Sequence, residues 1–171
     1  MTDRIPSFLL TGLAGIAVAW LAAASTAAAP PLPDLASAPF IVIAGKNVSW
    51  NSGASIDAKQ ARSGRGGAAG GICEFHVQYN VRNLGKAASG PFQTRFDSNT
   101  VPGGFTRQWP SIAPGQTSTQ TDILRLRSGS NTLILHIDPA NQVRESNDGN
   151  NQFRATIQVN GKCDPGKGAL R

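Results

Sequence analysis

The chain has 171 residues, of which 40% are hydrophobic and only 15% are charged, and its formal net charge is +6. Its 19 glycines and 11 prolines, together with the low charged fraction, exclude a coiled coil, a helical repeat and a highly charged disordered chain. The length suits one ordinary domain built from short strands and turns.

The first 29 residues have the layout of a secretory signal peptide. Arg4 is followed by an apolar run over 8–24 and then by a stretch of small residues. This order predicts export to a secreted or periplasmic location, with cleavage after Ala27 or Ala28. The segment is also long enough to cross a bilayer, so its retention as a membrane anchor is the alternative. No other integral membrane domain is predicted.

The exported part begins with a proline-rich segment, residues 30–37. Each proline disfavours helix in the residue before it, which predicts an extended linker. The stretch 51–71 is rich in Gly, Ala and Ser, contains Arg62 and Arg65, and has no hydrophobic period, which predicts a flexible insert. Residues 161–171 form a basic C-terminal tail.

Alternating hydrophobic and polar residues predict β-strands throughout 38–160. About seven strands, frequent turns and no amphipathic helix predict an all-β fold, an immunoglobulin-like antiparallel β-sandwich of about seven strands. An eight-stranded jelly roll is the alternative. The predicted strands are 40–44 (continued by 47–50), 73–81, 92–97, 105–109, 117–126, 132–138 and 153–159. The predicted inward side chains are Phe75, Val77, Tyr79, Phe92, Phe96, Leu133, Leu135, Ile137, Phe153, Ile157 and Val159.

The two cysteines are placed to form a disulfide. Cys73 begins the second predicted strand and Cys163 follows the last one. These two strands run in opposite directions in an alternating sandwich, so both cysteines lie at the same end of the fold. Both are also in phase with inward residues. We therefore predict a Cys73–Cys163 bond, which an oxidising compartment favours.

A polar segment, residues 138–151 (the corner), joins the last two predicted strands. It reads Asp-Pro-Ala-Asn-Gln-Val-Arg-Glu-Ser-Asn-Asp-Gly-Asn-Asn. Together with the strand end 81–85 and the Pro-Gly turn at 112–116, the corner resembles the CARDB family, the cell adhesion related domain found in bacteria. Asp148 stands where that family usually has Glu. The resemblance implies an immunoglobulin-like extracellular module, usually without catalytic activity.

Two roles are open for the corner. We favour a structural one, because Asn and Asp side chains bond nearby backbone amides while one apolar residue fills the core. This role predicts no cofactor and no stabilisation by Ca²⁺. The alternative is a calcium site, since carboxylates are hard ligands, although the spacing is not that of an EF-hand. The structural residues would be Asn141, Val143, Asn147, Asn150 and Asn151, and the calcium ligands would be Asp138, Glu145 and Asp148.

The sequence predicts a protein that is not an enzyme. His76 and His136 fall on the polar faces of predicted strands, and no nucleophile motif is present. The Arg-Gly run at 62–67 lacks interleaved aromatic residues, so no nucleic-acid partner is predicted. We expect an exported, non-catalytic binding or adhesion module that contacts a protein or glycan of the cell envelope. The alternatives are an accessory component of an enzyme system acting on surface polysaccharide or peptide, and a structural spacer.

Overall fold

Two five-stranded β-sheets face each other in the computed structural model, which describes residues 28–62 and 71–163. The ten strands are β1 (Leu35–Ser37), β2 (Phe40–Ile43), β3 (Lys46–Ser49), β4 (Gly53–Asp57), β5 (Ile72–Asn83), β6 (Phe92–Ser98), β7 (Phe105–Trp109), β8 (Thr117–Arg127), β9 (Gly129–Ile137) and β10 (Gln152–Asn160). Two short 3-10 helices cover Ala58–Gln60 and Asp148–Asn150. The prediction of an immunoglobulin-like β-sandwich is confirmed.

The first sheet is organised around β5. One edge of β5 pairs with β8 along almost its whole length, and its other edge pairs with β1 and then β2, which in turn pairs with β3. The second sheet has the order β4-β10-β9-β6-β7. Because β7 and β8 each pair on one side only, both leave a free edge.

The core lies between the two sheets and follows the alternation in the sequence. Every second residue of β5 from Cys73 to Val81 is buried, as are the apolar residues of β6, β9 and β10 that face it. Each large apolar side chain buried in this way contributes about 1.5–3 kcal/mol. The predicted inward set is confirmed, except that Phe153 at the start of β10 is only partly buried and packs on Trp50.

The prediction of an extended linker over 30–37 is wrong for its last three residues. Leu35–Ser37 form β1, which pairs with Val81–Asn83 of β5. Leu35 is fully buried and belongs to the core. The segment is ordered because β5 offers it an unpaired edge, a long-range contact that proline content does not reveal.

The prediction of a flexible insert over 51–71 is also wrong in part. Gly53–Asp57 form β4, which pairs in parallel with β10 and buries Ile56. Asp57 then caps the first 3-10 helix by accepting a hydrogen bond from Lys59 N at 2.8 Å. Together with β1 and the division of the first predicted strand into β2 and β3, β4 raises the strand number from seven to ten. Residues 63–70 lie outside the described residues.

The predicted disulfide is present. It joins Cys73 at the start of β5 to Cys163 just after β10, with the two Cα atoms 5.0 Å apart. The predicted signal peptide, apart from residues 28 and 29, and the predicted tail beyond Cys163 lie outside the described residues. No helix among the residues that the structure describes is long and apolar enough to cross a membrane.

Candidate functional site

Two polar regions of the sandwich are candidate sites: the corner, and a groove between the free edges of β7 and β8. The corner starts with a tight turn immediately after β9. Asp138 and Asn141 adopt left-handed backbone conformations (φ 44° and 50°), which Asp and Asn tolerate better than most residues. The Asp138 Oδ2 atom accepts a hydrogen bond from Val143 N at 2.7 Å, and Asn141 N donates to Asp138 O at 3.0 Å. Val143 is thereby turned into the core.

Glu145 connects the corner to the N-terminal segment. Its side chain is buried and accepts hydrogen bonds from Leu35 N of β1 and from Asn151 Nδ2, the latter at 2.9 Å. Burial raises the pKa of Glu145; the two hydrogen bonds oppose this shift, and the negative charges of Asp148 and Asp138 add to it. Glu145 therefore holds β1 in place through neutral donors, and none of the ion pairs found within 28–62 and 71–163 includes it.

Asn147 bonds a backbone amide, whereas Asn150 bonds a side chain of the N-terminal segment. Asn147 Oδ1 accepts from Gly149 N at 3.1 Å and caps the second 3-10 helix. Asn150 Nδ2 donates to Asp34 Oδ1 at 2.8 Å, which adds a second connection to the N-terminal segment. These contacts connect the corner to its own 3-10 helix and to the N-terminal segment.

The three carboxylates named as calcium ligands are not gathered around one point. Asp138 and Asp148 line one open cavity of about 590 Å³, whereas Glu145 is turned toward β1. Within 28–62 and 71–163, no three His, Cys, Asp or Glu side chains come close enough together to hold a metal ion.

The groove is a cleft of about 550 Å³ that opens between β7 and β8. Phe96 and Phe105 form part of its apolar wall, with their rings stacked 5.0 Å apart. His76 and Arg125 lie at its rim. His76 is solvent-exposed, and His136 is half-buried on the other sheet, where its Nε2 atom lies 3.5 Å from Asp97 Oδ2.

A polar cluster extends from the groove, which Asp122 and Arg107 line, into the core at Tyr79. Asp122 is 5% exposed and forms an ion pair with the half-exposed Arg107, whose Nε donates to Asp122 Oδ2 at 3.1 Å. The Tyr79 hydroxyl donates to the same oxygen at 3.2 Å. Burial raises the pKa of Tyr79, so it remains a donor. Trp109 Nε1 completes the cluster by donating to Thr94 Oγ1 at 2.8 Å.

The sequence contained a signal for this cluster that the predictions did not use. Asp122 has the inward parity of Leu124 and Leu126 on β8. Carboxylates rarely occupy such positions unless they are paired. Arg107 has the parity of Phe105 and Trp109 on β7, so the two positions together indicate an ion pair between a buried Asp122 and a half-exposed Arg107.

The fold and these contacts define an immunoglobulin-like β-sandwich with a polar corner between its last two strands. The CARDB family model matches residues 69–155, just over half of the chain, and the chain belongs to the CARDB family. CARDB domains are a non-catalytic, immunoglobulin-like family, and membership suggests an adhesion-related bacterial module. A search of curated proteins found no match.

Two solved structures of a CARDB domain from Pyrococcus furiosus are similar to this chain. The first is a crystal structure described as a complex with di-metal ions; it is 19% identical, covers 75% of this chain and 89% of its own, and has a TM-score of 0.48. The second is a solution NMR structure with 19% identity, coverage of 74% and 96%, and a TM-score of 0.44.

Proposed function

We propose that the protein is an exported, non-catalytic binding module of the bacterial cell envelope, and that it contacts its partner through the groove between β7 and β8. Membership of an adhesion-related family supports the class. The disulfide suits the oxidising compartment to which the predicted signal peptide directs the chain.

The observation that carries this proposal is the position of the groove between two free strand edges. An unpaired edge presents a row of backbone N–H and C=O groups that can pair with another extended chain. Next to these edges, the apolar wall at Phe96 and Phe105 offers space for side chains, and Arg107, Arg125 and Asp97 supply charges at the rim. This combination favours an extended segment of a protein partner.

A glycan is the second candidate. Phe105 is only partly buried and has charged neighbours in the groove, and a sugar ring can stack on such an aromatic face while its hydroxyl groups bond the charged side chains.

The test uses the mature chain with its disulfide intact, probed against cell-envelope extract by cross-linking and against a glycan array. Thr121→Arg places a bulky side chain in the groove, and Thr156→Arg makes the same change on an exposed position of β10 that does not line it. We expect a protein partner to be captured by the natural chain and by Thr156→Arg but not by Thr121→Arg. Array binding that Thr121→Arg removes would assign the groove to a glycan. Absence of any partner, or equal binding by both variants, would contradict the proposal.

A further inference from the structure

The ion pairs at the groove expose their arginines and cover their carboxylates. The side chain of Arg107 is 49% exposed, whereas that of its partner Asp122 is 2% exposed. The side chain of Arg125 is 59% exposed, whereas that of its partner Glu74 is 13% exposed. Both arginines line the groove. A molecule that enters the groove therefore meets mainly guanidinium groups, because the carboxylates that pair with them are largely covered.

Each of these two guanidinium groups is held by its carboxylate and keeps donors for a ligand. Arg107 contacts Asp122 through Nε and Nη2, and Arg125 contacts Glu74 through Nε at 3.1 Å. Within the part of the chain that the structure describes, the Nη groups of Arg125 donate to no protein atom. A guanidinium has more N–H donors than one carboxylate accepts. A side chain that is already oriented also loses less conformational entropy when it binds a ligand.

A second cavity adjoins the groove at β8 and adds another arginine. It has a volume of about 480 Å³ and is lined by Arg62, Glu74, Ile123 and Arg125, of which the last two also line the groove. Arg62 is exposed and belongs to none of the ion pairs found within 28–62 and 71–163. Asp97, the remaining carboxylate at the groove, already pairs with Arg95. The two adjoining cavities therefore present a surface that favours an anion.

We propose that the segment bound in the groove is acidic, an extended peptide with Asp or Glu at alternate positions. This inference rests on the proposed function, which assigns the groove to an extended segment beside the free strand edges. A strand added to β8 places every second side chain on the face that carries Arg125. Opposite charges on neighbouring strands stabilise the pairing, and a carboxylate can accept two parallel hydrogen bonds from a guanidinium. An acidic polysaccharide has carboxylates but no peptide groups to pair with a strand edge, so the free edges favour a peptide.

The probe is a short peptide of alternating Thr and Glu, compared with peptides of the same length that alternate Thr and Gln or Thr and Lys. Isothermal titration calorimetry at low ionic strength measures their binding to the mature chain with its disulfide intact. We expect the Thr-Glu peptide to bind about tenfold more tightly than the Thr-Gln peptide, the combined effect of two or three exposed opposite-charge pairs. The Thr-Lys peptide should bind least. High salt should reduce the preference, because it screens exposed charges.

Two variants locate the preference. Arg125→Gln removes one guanidinium at an exposed position and should reduce the preference for the Thr-Glu peptide about threefold. Arg154→Gln removes the same charge from an exposed position on β10 that lines neither cavity, and it should keep the full preference. Circular dichroism checks that both variants are folded.

The outcomes separate this inference from the proposed function. Equal binding of the Thr-Glu and Thr-Gln peptides would overturn the acidic preference but leave the groove as a site for an extended chain. A preference that survives in full in Arg125→Gln would overturn it as well. Binding of polygalacturonate that Arg125→Gln weakens, with no preference among the peptides, would assign the groove to an acidic glycan instead. Failure of all three peptides to bind would contradict the acidic segment, whereas capture of a partner with Thr121→Arg as the control decides the proposed function by itself.

Discussion

The groove and the corner each contain a buried carboxylate, but they satisfy it in different ways. In the groove, Asp122 meets the Arg107 guanidinium and the Tyr79 hydroxyl, and no buried polar atom of this described cluster is left without a partner. At the corner, Glu145 meets only neutral donors, and Asp138 leaves one oxygen unpaired. A fully paired cluster stabilises the fold by itself, whereas a buried oxygen without a partner reduces stability unless water or an ion supplies the missing interaction.

The largest loss of stability should come from removing the disulfide, which lies outside both regions. This loss is the reference against which the losses at the groove and the corner are compared. Cys73→Ser and Cys163→Ser should each lower the free energy of unfolding by up to about 4–5 kcal/mol, because each opens the same long loop. Urea denaturation of both single variants and the double variant checks this. The double variant should be no less stable than either single one. Additive losses, or two free thiols in protein purified without reductant, would contradict the bond.

The groove cluster should give the next largest effect. Asp122→Ala removes the acceptor of a charged donor and of the Tyr79 hydroxyl, so we expect a loss of about 2–3 kcal/mol in urea denaturation. Asp97→Ala is the matched control, because Asp97 is a half-exposed carboxylate that pairs with Arg95 at the same groove. Its loss should stay below about 1 kcal/mol, as is usual for surface ion pairs. Equal losses for the two variants would show that the buried cluster has no special role.

At the corner, Val143→Ala and Asn147→Ala separate core filling from backbone bonding. Val143 is 6% exposed, and removing its two methyl groups should cost about 1–2 kcal/mol. Asn147→Ala removes the cap of a short 3-10 helix and should cost about 1 kcal/mol. Thermal unfolding in the presence of a chelator measures both. A loss near zero for Val143→Ala would mean that the corner is not anchored to the core.

The smallest effect concerns pH and follows from the raised pKa of Glu145. The native protein binds this proton more tightly than the unfolded chain, so Glu145 contributes most at low pH. That contribution decreases as pH rises from the ordinary value of 4.5 through the higher native pKa. Relative to Glu145→Gln, the natural chain should therefore lose stability as pH rises above 4.5, which a pH series of urea denaturation measures. A difference that does not change with pH, or that grows as pH rises, would contradict the charge state assigned to the corner.

The strands of the fold could be predicted where one local pattern sets both structure and burial. The alternation over Cys73–Val81 is such a case, and so is the parity that pairs Cys73 with Cys163. By contrast, β1 and β4 are short and have no period of their own, because they become strands only by pairing with β5 and β10. Long-range pairing of this kind leaves no local signal.

The same distinction applies to the candidate sites. The sequence identified the corner residues but not their hydrogen-bond partners. Glu145 accepts a hydrogen bond from Leu35 N, and Leu35 lies more than a hundred residues earlier in the chain. The groove depends on two edge strands that lie next to each other only in the folded sandwich. In the sequence, it is indicated by Asp122, a carboxylate at a strand position with inward parity.

The contrast between the two buried carboxylates is tested most directly by urea denaturation of Asp122→Asn and Glu145→Gln at neutral pH, since both substitutions keep the side-chain shape and remove the charge. Asp122→Asn leaves the Arg107 guanidinium without its anion and should clearly lower the free energy of unfolding. Glu145→Gln removes a buried charge that forms no ion pair among the described residues, so its loss should be smaller. Equal losses, or a larger loss for Glu145→Gln, would contradict the account.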